Sequence, residues 1–217
     1  MNKLFLFAAL AWLVSPIPAM ALPESNQIEF SNCMLALPGT HMTAAARCGT
    51  LEVAENPAEP TGRRIELNIA VAPATGKTTE PDPVFFFAGG PGQAASETWV
   101  MMRPVLRKIR KSRDIVMIDQ RGTGKSNKLA CESEIEEDLN REIDLDLIRS
   151  ETEKCLADLD GDPRFYTTGI AMGDYNLVRQ AMGYEKINIM GVSYGTRSAQ
   201  VYLRMFPETV RSVTLDS

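Results

Sequence analysis

The sequence predicts an α/β protein in which a largely parallel sheet carries helices on both faces. Three observations lead there. Short apolar runs at 84–87 and 114–118 suit central strands buried on both sides, and a helix-compatible stretch separates them. Each run ends in a glycine-bearing loop, Gly89-Gly90-Pro91-Gly92 after the first and Asp119-Gln120-Arg121-Gly122 after the second. Finally, Gly191-Val192-Ser193-Tyr194-Gly195 sits between a strand-like run at 186–190 and a helix-like run at 196–206. The G-x-S-x-G pattern alone recurs by chance in about one chain in fifteen of this length, so the strand before it and the helix after it carry the inference.

Taken in order, residues 1–21 read as a secretory signal. Lys3 forms the charged start, 4–14 the apolar run, Pro16 and Pro18 break it, and Ala19-Met20-Ala21 supplies the cleavage pattern. The apolar run has 11 residues, short of the roughly 20 that a spanning helix needs. The product is therefore expected outside the cytoplasm, in the periplasm or beyond the cell. Cleavage removes one charge, Lys3, from a chain of 217 residues and formal charge −5, leaving 196 residues at −6 in 22–217. That is one domain's worth of chain, and its acidic balance argues against nucleic acid and anionic membrane as partners.

Residues 22–60 read as mixed and loop-rich, with a short strand at 51–53. Strand alternation begins at 64–71, a polar loop covers 73–83, and 94–110 suits a helix with Pro104 at a start or kink. Segment 132–153 holds ten acidic and two basic residues, with Ile135, Leu139, Ile143, Leu147 and Ile148 on a helical period. A solvated helix over a narrow apolar stripe accounts for it, because the ligand pattern of a calcium loop is missing. Another helix follows at 174–182, closed by Gly183, and a last strand at 210–215.

Four cysteines, Cys33, Cys48, Cys131 and Cys155, lie in the exported part, where disulfides are favoured. Three pairings are open. Pairing of sequence neighbours, Cys33–Cys48 and Cys131–Cys155, is preferred because each closes a short loop outside the expected sheet. No C-x-x-C and no second histidine supports zinc, and no metal or cofactor is implied.

Ser193 is the candidate nucleophile. A tight strand-to-helix turn lifts its hydroxyl clear of the sheet, and the following helix offers the Tyr194 amide and a positive dipole to an oxyanion. Gly90 is the choice for the second amide of that hole, with Gly89 as its rival, since glycine lets backbone approach substrate closely. Gly124-Lys125-Ser126 fails as a phosphate loop, because Asp119 stands where the pattern needs glycine. Asp119 and Arg121 are read instead as hydrogen-bonding anchors of a structural turn. A serine nucleophile needs a base, and the one histidine, His41, lies in the loop-rich segment about 150 residues before the turn, so it is read as a surface residue.

Ala88-Gly89-Gly90-Pro91-Gly92-Gln93, Asp119 through Ser126 and Gly191 through Thr196, in this order, resemble the α/β-hydrolase serine peptidases of the proline iminopeptidase and secreted tripeptidyl aminopeptidase family. Gly161 through Thr168 and Val210 through Asp216 add to the likeness. The resemblance implies an exported aminopeptidase that acts through an acyl-enzyme on peptides with a free N-terminus. Within it Ser193 would be the nucleophile, and the amides of Gly90 and Tyr194 the oxyanion hole. Ala88 departs from the histidine usual in the strict proline-specific branch. The resemblance further implies that the cap domain, the triad aspartate and the triad histidine follow the strand at 210–215. The 217-residue chain is thus expected to be the N-terminal portion, inert alone or completed by a C-terminal chain. Asp216 is weighed as a triad acid and set aside, because the resembling peptidases take theirs later. An esterase on the same fold is the remaining alternative.

Overall fold

The computed structural model describes residues 28–131 and 144–217. The signal segment at 1–21 and the first part of the acidic segment, 132–143, lie outside the described residues.

Seven strands form one sheet in the order β1-β2-β3-β5-β4-β6-β7. They are β1 (Ser31–Ala36), β2 (Thr43–Ala54), β3 (Arg64–Ala72), β4 (Val84–Phe87), β5 (Ile115–Ile118), β6 (Ile187–Val192) and β7 (Val210–Asp216). β4, β5, β6 and β7 pair in parallel, while β1 pairs antiparallel with β2, β2 with β3 and β3 with β5. β2 thereby runs with the parallel block, so five of the seven strands share a direction. The loop-rich reading of 22–60 is corrected here. β1 and β2 form a long hairpin in which inward Leu35, Ala44, Ala46, Leu51 and Val53 alternate with polar or exposed positions. Small alanines and an intervening arginine blur that period in the sequence. The Cys33–Cys48 disulfide consequently staples two paired strands within the sheet, with Cα atoms 5.8 Å apart, rather than a loop outside it. Cys131–Cys155 joins the segment after β5 to a helix.

Alternate side chains of each strand point to opposite faces, and the three phenylalanines of β4 show how both faces are filled. Phe85 and Phe87 meet the helices α3 (Thr168–Ala181) and α4 (Tyr194–Met205), packing among Tyr175, Val178 and Tyr202. Phe86 points the other way, into the cluster of Trp99, Val100 and Leu106 beneath α1 (Ala95–Met102). α1 is shorter than the expected 94–110. It stops ahead of Pro104, and the chain continues as single 3-10 turns at Val105–Arg107 and Ile109–Lys111. α2 (Leu145–Asp158), capped by the Asp144 carboxylate, has no buried residue, as a solvated helix requires. α3 begins earlier than expected because Thr167 caps it, and it closes at Ala181, just before Gly183, whose φ of 73° suits glycine.

Candidate active site

β6 delivers the chain to Ser193, which is exposed and adopts φ 51°, ψ −121°, a backbone region that costs a non-glycine residue energy. Its surroundings impose the turn. An added Cβ at Gly191 would collide with the Gly195 carbonyl, and one at Gly195 with the Phe87 carbonyl of β4. Only glycine at both positions lets α4 fold back this closely on the sheet. The Ser193 amide donates to the Asp216 carbonyl of β7 at 2.7 Å, and the Ser193 carbonyl accepts from the Thr196 amide at 2.9 Å and the Thr196 hydroxyl at 2.7 Å. The backbone is fixed from both sides, whereas the Ser193 hydroxyl has no hydrogen-bond partner among the described residues.

The loop after β4 leans on this turn. A Cβ at Gly89 would lie 3.2 Å from the Ser193 Cβ, and Gly90 takes a φ of 103° that glycine tolerates. Among the described residues the amides of Gly89, Gly90 and Tyr194 have no hydrogen-bond acceptor. The Tyr194 amide is the first of α4, where the helix dipole adds positive potential. The Tyr194 hydroxyl pairs with Thr168 Oγ1 of α3 at 2.5 Å, a contact no sequence spacing announces. Behind the turn lies a void of about 10 Å³, bordered by Gly89, Gln93, Gln120 and Ser198. A concavity of about 690 Å³ lies elsewhere, between β2 and α3, and contains neither Ser193 nor the glycine loop.

The loop after β5 is a buried polar scaffold. Asp119, fully buried, accepts from the Ser96 amide and hydroxyl, both at 2.9 Å, and from the Asn68 amide group at 2.8 Å. Arg121 grips Asp174 of α3 through two bonds of 2.6 and 2.8 Å and donates to the carbonyls of Ala54, Glu55 and Phe165. Tyr166 lies against the Arg121 guanidinium and donates to Glu55. Burial pushes the Tyr166 hydroxyl up to about 12, and the bond to Glu55 acts in the same direction. The sequence pointed to Asp119 and Arg121 as anchors. Their partners, Asn68, Ser96 and Asp174, lie 23 to 53 residues away and carry no local signal.

His41 stands in the exposed turn between β1 and β2, and β1 is five strand steps from β6. At about 4.8 Å per step that is roughly 24 Å from the strand bearing Ser193. The Asp216 side chain ends β7 exposed, and only its carbonyl meets the turn. Among the described residues no group of three or more acids, cysteines or histidines is placed to hold a metal.

The mixed sheet, the strained serine between strand and helix and the open amides define a hydrolase architecture. Residues 82–217 match the family described as alpha/beta hydrolase fold, and the chain belongs to it. It is 28% identical over 214 residues to serine protease Hip1 of Mycobacterium tuberculosis, covering 91% of this chain and 41% of that protein. It is likewise 28% identical over 187 residues to the tripeptidyl aminopeptidase of Streptomyces lividans, covering 79% and 35%. A solved "probable hydrolytic enzyme" of Pseudomonas aeruginosa superposes with a TM-score of 0.50 at 14% identity, over 77% of this chain and 40% of that one, a likeness of fold alone. The chain thus spans about 41% of the length of the first curated relative named.

Proposed function

We propose that this chain carries the nucleophile and oxyanion hole of an exported serine aminopeptidase, prolyl or tripeptidyl in type. The base and acid would come from polypeptide other than these 217 residues. One observation carries the reading: Ser193 is held exposed in a strained turn beside amides that have no acceptor among the described residues, and the one histidine, His41, lies on a distant strand turn. In the completed site the Ser193 hydroxyl attacks the peptide carbonyl while an imidazole takes its proton. The Tyr194 and Gly90 amides hold the charge that develops on the carbonyl oxygen. The amine leaves with that proton, and water then hydrolyses the acyl-enzyme. Two disulfides suit an oxidising compartment, in keeping with export. The peptidase names of the relatives favour amide over ester substrates, and the name tripeptidyl aminopeptidase among them favours a peptide with a free N-terminus.

A fluorophosphonate probe tests this directly. The isolated chain is expected to label slowly, since loss of the base leaves a serine hydrolase with only residual catalysis, about 10⁴-fold to 10⁶-fold down. A protein completed by the longer relatives' C-terminal portion should label at Ser193 and release N-terminal units from peptide amides, and Ser193→Ala should abolish both. Rapid labelling of the isolated chain, or full turnover by Ser193→Ala, overturns the reading. Faster turnover of aryl esters than of peptides with a free amino terminus would shift it to an esterase.

A further inference from the structure

The end of the sheet opposite Ser193 carries a surface of a different kind. Residues 103–113 hold six basic side chains, Arg103, Arg107, Lys108, Arg110, Lys111 and Arg113, and no acidic one, in a chain of net charge −5. Arg113 pairs with Asp82 at 3.2 Å, whereas none of the other five joins an ion pair among the described residues. Three large apolar side chains are interleaved with them and left in solvent: Met101 at 54% exposure, Val105 at 61% and Ile109 at 41%.

That arrangement is built, not frayed. Pro104 and Lys108 have helical backbone angles, so the path from α1 through the two 3-10 turns stays helix-like. Along this path Met101, Val105 and Ile109 are each left exposed. Trp99 and Leu106, 0% and 1% exposed, pin the opposite side into the core. Arg110 Nε donates to the Pro73 carbonyl at 2.9 Å, and the amides of Thr75 and Gly76 donate to the carbonyls of Arg110 and Lys111, so the neighbouring loop braces the segment. That loop adds exposed Lys77, with Glu80 as its exposed counter-charge. Arg103, Arg107 and Arg110 also border a concavity of about 320 Å³ with Thr75 and Pro104.

We propose that this segment docks the protein onto an anionic phospholipid bilayer. The arginine-bordered concavity would receive a lipid phosphate, and Met101, Val105 and Ile109 would enter the headgroup–acyl boundary. Basic residues with apolar side chains beside them fit an interface that is charged outside and apolar just beneath. A nucleic acid or soluble polyanion would leave the three apolar side chains in water. The overall acidic balance, which argued against membrane contact, averages away a local field, and screening confines that field to about 10 Å in any case. Because α1 runs back from the Ser193 end of the parallel strands to the start of β5, docking would leave the serine facing the aqueous side.

Co-sedimentation of the purified chain with vesicles tests the proposal. Binding is expected to phosphatidylcholine vesicles that contain phosphatidylglycerol, with release at high salt, and at least about tenfold less to phosphatidylcholine alone. Each basic residue near an anionic leaflet contributes about five-fold, so Arg107→Glu/Lys111→Glu should weaken binding about 25-fold or more. The matched pair Arg149→Glu/Lys154→Glu on exposed α2 should change it little. Val105→Ala/Ile109→Ala should weaken it at unchanged charge, and Ile109→Trp should shift its emission to the blue only with anionic vesicles. Absence of sedimentation, equal binding to both vesicle types, or an equal loss in the α2 pair overturns the proposal. So does binding to heparin or DNA as tight as to vesicles and insensitive to Val105→Ala/Ile109→Ala.

Discussion

The loop after β5 and the turn after β6 leave the same end of the same sheet, and they treat their polar side chains in opposite ways. After β5, the Asp119 carboxylate and the Arg121 guanidinium are buried and hydrogen-bonded, with Asp174, Asn68 and Ser96 as partners. After β6, Ser193 is exposed, its backbone is strained and its hydroxyl has no partner among the described residues. A saturated charge has its hydrogen-bonding capacity committed to neighbouring elements, so it positions structure. An unsaturated hydroxyl on a constrained backbone retains that capacity for a substrate. The contrast separates anchoring groups from reacting ones although both loops carry glycines and polar residues.

The largest test of the comparison falls on the saturated side. Arg121→Ala would leave the Asp174 carboxylate buried and unpaired, at a cost of about 3–5 kcal/mol in unfolding free energy. Replacing both partners, as Arg121→Met/Asp174→Leu, removes the orphaned charge and should recover most of that loss, although three backbone carbonyls would still lose their donor. Chemical denaturation of the three proteins measures the difference. A single variant no less stable than the parent would show that the pair anchors nothing.

On the strained side the effect should appear in reactivity more than in stability. Gly195→Ala drives a methyl group into the Phe87 carbonyl of β4, and overpacking of this kind costs about 1–3 kcal/mol. The methyl group pushes α4 away from the sheet and carries Ser193 and the Tyr194 amide with it. Displacement of about 1 Å at a reacting group costs about 10²-fold in rate, so acylation in a completed enzyme should fall at least that far. Retained acylation with lost stability would reverse the comparison.

The same contrast explains what could be read from the chain. Ser193 and its flanking glycines are legible because the constraint is local: strand, turn and helix are consecutive, and the steric demand on Gly191 and Gly195 comes from the turn itself and the adjacent strand. The parallel strands β4 and β5 are legible because burial on both faces makes them continuously apolar, whereas β6, interrupted by Asn188, is legible from the turn and helix that follow it. The hairpin β1–β2 is not, since Ala44, Ala45 and Ala46 give both faces nearly the same hydropathy although alternate residues are buried. The basic run at 103–113 has no reading from the sequence alone, because its meaning depends on which side of a broken helix Val105 and Ile109 occupy. Pro104 leaves that side open at the level of the sequence.

The smallest expected effect gives the finest comparison, between two buried serines that differ only in saturation. Ser96 donates its hydroxyl to Asp119 at 2.9 Å, whereas the Ser198 hydroxyl, in a residue 2% exposed, has no partner among the described residues. A hydrogen bond to a charged group contributes about 1.5–3 kcal/mol, so Ser96→Ala should lose an amount of that order. Ser198→Ala removes no bond and puts the best helix former into the middle of α4, so its stability should stay within about 0.5 kcal/mol of the parent or rise slightly. Thermal unfolding of the pair checks both. Equal losses would mean that burial alone, and not the saturation of the β5 loop, sets the value of a hydroxyl in this fold.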